Sequence, residues 1–184
     1  MSQSDVLIHT IQALDGCAAE YMLTGSLVSS IHGEPRATHD IDIVVTATPD
    51  TIVAFLSSFS DDDYYYDIAA AQDAVLRGGM FNIISLTGDK VDIWALTNSE
   101  FDQMRFSRKQ VIELFGFSVF ISSAEDTILM KLLWSQTCGG SEKQLFDAAR
   151  IFDLQQTILD AGYLEAWVSK LNLHDQFAAM QRFL

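Results

Sequence analysis

The sequence is poor in proline, cysteine and positive charge, and each shortage excludes a class of protein. Only Pro35 and Pro49 occur in 184 residues, and there is no Ser/Gly-rich linker, low-complexity tract or internal repeat, so collagen-like and linker-divided chains are out. The two cysteines, Cys17 and Cys138, stand far apart and in no Cys-x-x-Cys or Cys/His cluster, which predicts free and mostly buried thiols. Eleven Lys+Arg face 25 Asp+Glu, a formal charge of −14, so the chain has no broad electrostatic grip of its own on nucleic acid or an anionic membrane. A polyanionic substrate would need metal ions or a local basic patch. No apolar run approaches the ~18 residues of a membrane-spanning helix, and the start MSQSDVLIHT lacks a basic signal-peptide region; a cytoplasmic protein without membrane attachment is expected.

Apolar residues are plentiful. At 49% hydrophobic and 20% charged, the chain suits one compact domain, or a core with a helical extension, burying about 70% of its unfolded surface. Disorder and coiled coil are thereby excluded. Charge is uneven: residues 1–100 hold fifteen of the acids and three of the bases, whereas residues 101–184 hold ten and eight. The acidic, aromatic run from Ser60 to Asp67 reads as a solvated turn entering an aromatic strand.

Periodicity supplies a scaffold. Asp5–Asp15 carries Val6, Leu7, Thr10, Ile11 and Leu14 on one helical face; Tyr21–Thr24 reads as a short buried strand, and Ser26–His32 as a helix closed by Gly33 and Pro35. Ile41–Val45 is β-branched and predicts a strand. Thr48-Pro49 starts a helix extending toward Phe59, and Ile68–Leu76 a further one ending at Gly78-Gly79. Phe81–Leu86 and Val91–Leu96 flank Thr87–Lys90 as a hairpin, and Phe117–Ile121 is a last strand. Ser123 with Asp126 resembles a capping box, and helices follow near 124–133, 141–155, 157–170 and 174–183. The expected class is α+β: a mixed sheet with flanking helices over residues 1–121, then a helical region over 122–184 packed on it.

The chemistry concentrates between Tyr21 and Val45. Asp40 and Asp42 alternate with Ile41 and Ile43, so a strand puts both carboxylates on one face and both isoleucines on the other. Paired oxygen ligands suit Mg²⁺ or Mn²⁺; the alternative is a polar strand face turned to water. Upstream, Gly25-Ser26 ends a strand where a helix begins, a place where backbone N–H groups and a hydroxyl can hold phosphate, though an ordinary turn has the same composition. Downstream, Asp92 sits alone between Val91 and Ile93. Beside the other two it would complete a two-cation site. Deleting one acid of so crowded a set is expected to leave thermal stability unchanged or slightly raised, by relieving repulsion.

Gly25-Ser26, thirteen intervening residues, Asp40-Ile41-Asp42 and the later Asp92 together resemble the signature of the nucleotidyltransferase superfamily typified by DNA polymerase beta. The stretch Gly33 to Val45, with Ala124–Asp126, Lys131-Leu132, Ser141–Gln144 and Asp147, is similar to small bacterial AbiEii-like proteins, a likeness spanning roughly residues 15 to 175. One departure stands out: Cys138-Gly139-Gly140 occupies a place where several relatives carry basic residues. The resemblance implies a nucleotidyltransferase-type sheet, Mg²⁺ or Mn²⁺ on Asp40, Asp42 and Asp92, and phosphate contacts from Gly25 and Ser26. It also implies a nucleoside triphosphate as donor, an acceptor hydroxyl on RNA or tRNA, protein or a small molecule, and a protein antitoxin as partner. A second copy of the chain stands beside these as a homodimer partner. Arg36 is either a triphosphate ligand or a loop cation paired with Glu34; Lys131 either reaches nucleotide or is one exposed lysine on an amphipathic helix. Lys143 and Asp147 read as an ordinary helical ion pair. His39-Asp40 has the order of a phosphohydrolase dyad, but His9, His32 and His174 are scattered. The three tryptophans read as packing rather than base-stacking platforms. A catalytically silent nucleotide-binding or protein-interaction member of the same fold is the alternative.

Overall fold

The computed structural model describes residues 2–184. The chain divides into two compact units: residues 1–27 with 38–121, and residues 28–37 with 122–184.

The first unit is built on a seven-stranded mixed sheet. Its strands are β1 (Tyr21–Thr24), β2 (Asp40–Val45), β3 (Tyr64–Tyr65), β4 (Met80–Ser85), β5 (Lys90–Ala95), β6 (Gln110–Leu114) and β7 (Phe117–Ile121), ordered β3-β4-β5-β2-β1-β7-β6. β2 runs parallel to β5 and antiparallel to β1, and β1 is parallel to β7. The helices are α1 (Gln3–Gly16), α3 (Pro49–Leu56), α4 (Ile68–Arg77) and α5 (Glu100–Ser107). α2 (Gly25–His32) crosses the division between the units.

Local chemistry accounts for the ends. Ser2 and Asp5 form a capping box at α1, each side chain bonded to the other's backbone N–H. Thr48 caps α3 with Pro49 in its first turn, and the left-handed Gly78 closes α4 as the Gly-Gly break predicts. The acidic run is a turn leading into β3, as expected. Ile41, Ile43, Val45, Val91, Ile93, Phe81 and Ile83 are buried with the apolar faces of α1, α3 and α4. On the opposite face Met22, Val44 and Phe106 form a smaller cluster with Trp94 and Leu96 packed against it.

Two elements were absent from the sequence expectation. α5 is eight residues capped by Ser99, and β6 pairs antiparallel with β7 across a tight turn at Phe115-Gly116, both left-handed. Phe117–Ile121 is therefore the second arm of a hairpin. The thiols are free, but Cys17 is half-buried and Cys138 exposed, so neither is the core residue expected.

In the second unit α6 (Ala124–Thr137), α7 (Glu142–Gln155), α8 (Ala161–Lys170) and α9 (His174–Met180) pack together and end in a short 3₁₀ turn, Gln181–Phe183. Ser123 caps α6 by accepting from the Asp126 N–H. His32 donates its Nε2–H to the Ser122 carbonyl at 2.8 Å. Burial of this imidazole outweighs that bond and holds its pKa below the ordinary histidine value.

Candidate active site

Strand register assembles the acids. Across the sheet Thr24 pairs with Asp42, Asp42 with Asp92 and Asp92 with Asn82, so four polar residues from β1, β2, β5 and β4 form one row on one face. Neighbouring strands lie about 4.8 Å apart, which puts the Asp42 and Asp92 backbones at that spacing. The next row holds Asp40 opposite Lys90. Ile41 and Ile43 are fully buried on the reverse face, as the alternation requires.

Gly25 joins this row at the β1–α2 turn. Its φ is +69°, and a methyl added there would lie 2.0 Å from Asp42 Oδ2. Only a hydrogen fits between this turn and the carboxylate. Asp42 Oδ1 accepts a bond from Trp94 Nε1–H at 3.4 Å. Trp94 is thus partly exposed and serves the acids as well as the apolar cluster. Ser26 follows Gly25 in the first turn of α2 and is half-buried.

Asp92 is the most enclosed acid of the set, 7% exposed. Its Oδ2 accepts from Lys90 Nζ at 2.8 Å, while its buried Oδ1 has no hydrogen-bond partner among the described residues. Lys90 Nζ also lies 3.9 Å from Asp40 Oδ1. The hydrogen bond to Asp92 dominates the rise of the Lys90 pKa above the usual lysine value, with the charges of Asp92, Asp40 and Asp42 adding to it. Lys90 was not anticipated. Its position two residues before Asp92 on a strand, among only three cations in the first hundred residues, is the signal that could have found it. It also changes the stability expectation: the acids are neutralised in part, so deleting Asp92 removes the ammonium's bonded partner rather than relieving repulsion.

Among the described residues no group of three or more His, Cys, Asp or Glu lies close enough to hold a metal ion. Two observations fit a divalent cation nevertheless. Asp42 and Asp92 face each other across paired strands, and the orphaned Oδ1 of Asp92 is a buried acceptor with a free coordination position.

Arg36 and Lys131 belong to the second unit. Both reach Asp147 Oδ2, Arg36 through Nη2 and Lys131 through Nζ, each at 2.9 Å. Lys131 is 4% exposed, so the expectation of an exposed lysine on an amphipathic helix does not hold. Burial depresses its pKa against the opposing pull of Asp147. Glu34 pairs with Arg150, not with Arg36, and Asp147 is taken by Arg36 and Lys131 rather than serving as a simple helical partner of Lys143.

No protein-family model matches the chain, and no curated protein does. Solved structures do. An antigenic nucleotidyltransferase-like protein from Paracoccidioides brasiliensis superposes with a TM-score of 0.55 at 16% identity, covering 96% of this chain and 91% of its own. The antibiotic-resistance factor ANT(2'')-Ia superposes with a TM-score of 0.60 in its solution structure, at 13% identity over 98% of this chain and 95% of its own. In complex with adenylyl-2''-tobramycin it gives 0.61 at 13% identity, over 94% and 98%. The chain therefore has the nucleotidyltransferase fold, the mixed α/β class its sequence led one to expect.

Proposed function

We propose that this chain is a metal-dependent nucleotidyltransferase. The acceptor hydroxyl oxygen bonds to the α-phosphorus of a nucleoside triphosphate, the bond from that phosphorus to the β-phosphate oxygen breaks, and pyrophosphate leaves with the electron pair. In this reading the hydroxyl proton passes to bulk water as the new bond forms. Gly25 N–H and Ser26 hold the leaving phosphates at the start of α2. Asp40, Asp42 and Asp92 would hold Mg²⁺ or Mn²⁺, which when bound supplies charge neutralisation and acidifies the attacking hydroxyl. Arg36 and Lys131 are proposed nucleotide contacts, from a cluster in which two cations share one carboxylate.

The observation that carries the proposal is the register placing Asp42 opposite Asp92, with Gly25 packed on Asp42, in a nucleotidyltransferase fold. For the acceptor we favour a small, positively charged polyol. The formal charge of −14 supports attraction of a cation, and the chain covers 98% of ANT(2'')-Ia seen with adenylyl-2''-tobramycin. The likeness of Gly33–Val45 to AbiEii-like proteins supports a second reading, transfer to RNA or tRNA under control of an antitoxin protein.

The test is incubation with α-labelled and, separately, γ-labelled nucleoside triphosphates, Mg²⁺ or Mn²⁺, and either amino-sugar acceptors or total RNA. Nucleotidyl transfer moves the α label alone. Nucleotide binding without label on any acceptor would support a silent member of the fold, and transfer of the γ label would refute the reaction.

A further inference from the structure

Lys90 is one of three cations among the first hundred residues, and it stands inside the acid cluster. Its partner Asp92 has one oxygen occupied by the ammonium and the other buried and empty-handed. The two side chains differ in mobility: that of Lys90 is 36% exposed on a flexible four-carbon stem, that of Asp92 only 10%. The lysine can swing into solvent, whereas the carboxylate is held nearly enclosed.

We propose that Lys90 is a tethered counter-cation of the acid cluster, which a divalent ion must displace from Asp92 to complete the site. The inference rests on the metal-dependent reading above and deepens it. A carboxylate whose second oxygen accepts from an ammonium at 2.8 Å cannot turn both oxygens to a metal, and an added double charge beside that ammonium is repelled by it. The device has a physical use. Without metal the row of acids would be uncompensated on a strand face, and Lys90 supplies the missing charge from within the chain; with metal present, the same ammonium moves out to solvent.

Two measurements test it on the whole protein. The first acetylates the wild type with an amine-reactive ester with and without saturating Mg²⁺, reading each lysine by mass spectrometry. Lys90 labelling is expected to rise several-fold with Mg²⁺ while the surface Lys170 stays constant. The second compares Mn²⁺ dissociation constants by calorimetry for the wild type, Lys90→Met and Lys90→Arg. Lys90→Met is expected to bind at least tenfold more tightly, and Lys90→Arg, which keeps the charge, to stay within about threefold of wild type. Lys90 labelling that is unchanged or lower with Mg²⁺, or a Lys90→Met constant equal to or weaker than wild type, overturns the proposal. If neither the wild type nor Lys90→Met binds Mn²⁺, the metal-dependent reading falls with it. If the wild type binds Mn²⁺ while Lys90 remains protected, only the lysine's role falls.

Discussion

An added methyl at Gly25 would stand 2.0 Å from Asp42 Oδ2 in a backbone whose φ is already +69°. Gly25→Ala is therefore expected to cost about 1–2 kcal/mol from backbone conformation and to push Asp42 out of its row. Label transfer should vanish while Mn²⁺ binding, read by calorimetry, weakens; retention of both would show that Asp42 tolerates the shift. At Asp92 the expected result for Asp92→Ala is loss of transfer together with about 1 kcal/mol less stability, seen as a lower thermal midpoint, because Lys90 loses its bonded partner. A midpoint equal to or above wild type would mean the ion pair contributes nothing. Much of this site was legible in the residues. Alternation alone placed Asp40 and Asp42 on one face, because a strand with one face buried has no other register. Trp94 is not, because its bond to Asp42 crosses strands, which one strand's pattern does not contain; Lys90 is marked only by its place two residues before Asp92 on the same strand.

Among the elements, the buried ion cluster of the second unit gives a sharp contrast. Asp147→Ala leaves Lys131 as a buried charge without its carboxylate and is expected to cost about 3–5 kcal/mol in chemical denaturation. Lys131→Met keeps the Arg36–Asp147 pair and places an unbranched apolar chain in the same volume, so it should cost far less. Equal losses from the two would contradict the charge argument. The strong elements here were readable where one signal dominated: β-branched Ile41–Val45, the Thr48-Pro49 start, the Gly78 stop. α5 escaped because its eight residues carry no apolar stripe, although Ser99 with Asp102 three residues on has the form of a cap. β6 escaped because Val111 is exposed on an edge strand, so its sequence lacks a buried alternation to read. The burial of Lys131 is not legible along its own helix, because the partner that makes it tolerable, Asp147, lies on another helix.

For the molecule as a whole, charge and pH set the working conditions. Burial disfavours the charged form of His32 and lowers its folded pKa below the unfolded value of about 6.5. Above that value neither state carries the proton; below it the unfolded chain takes one up first, so the fold loses stability as pH falls through the window under about 6.5. The thermal midpoint should decline from pH 7 to 5.5, and His32→Gln, whose amide can still donate to the Ser122 carbonyl, should show a flatter profile. An identical slope would assign the decline to other groups. The charge of −14 is consistent with a reaction in which cations are obligatory. Pyrophosphate release from a nucleoside triphosphate, followed with Mg²⁺ and an amino-sugar acceptor, is the most direct test of the account. Wild type should release one pyrophosphate per nucleotide transferred, and Asp42→Asn and Asp92→Asn, folded by circular dichroism, at least a hundredfold more slowly. Release by both variants at the wild-type rate would contradict it.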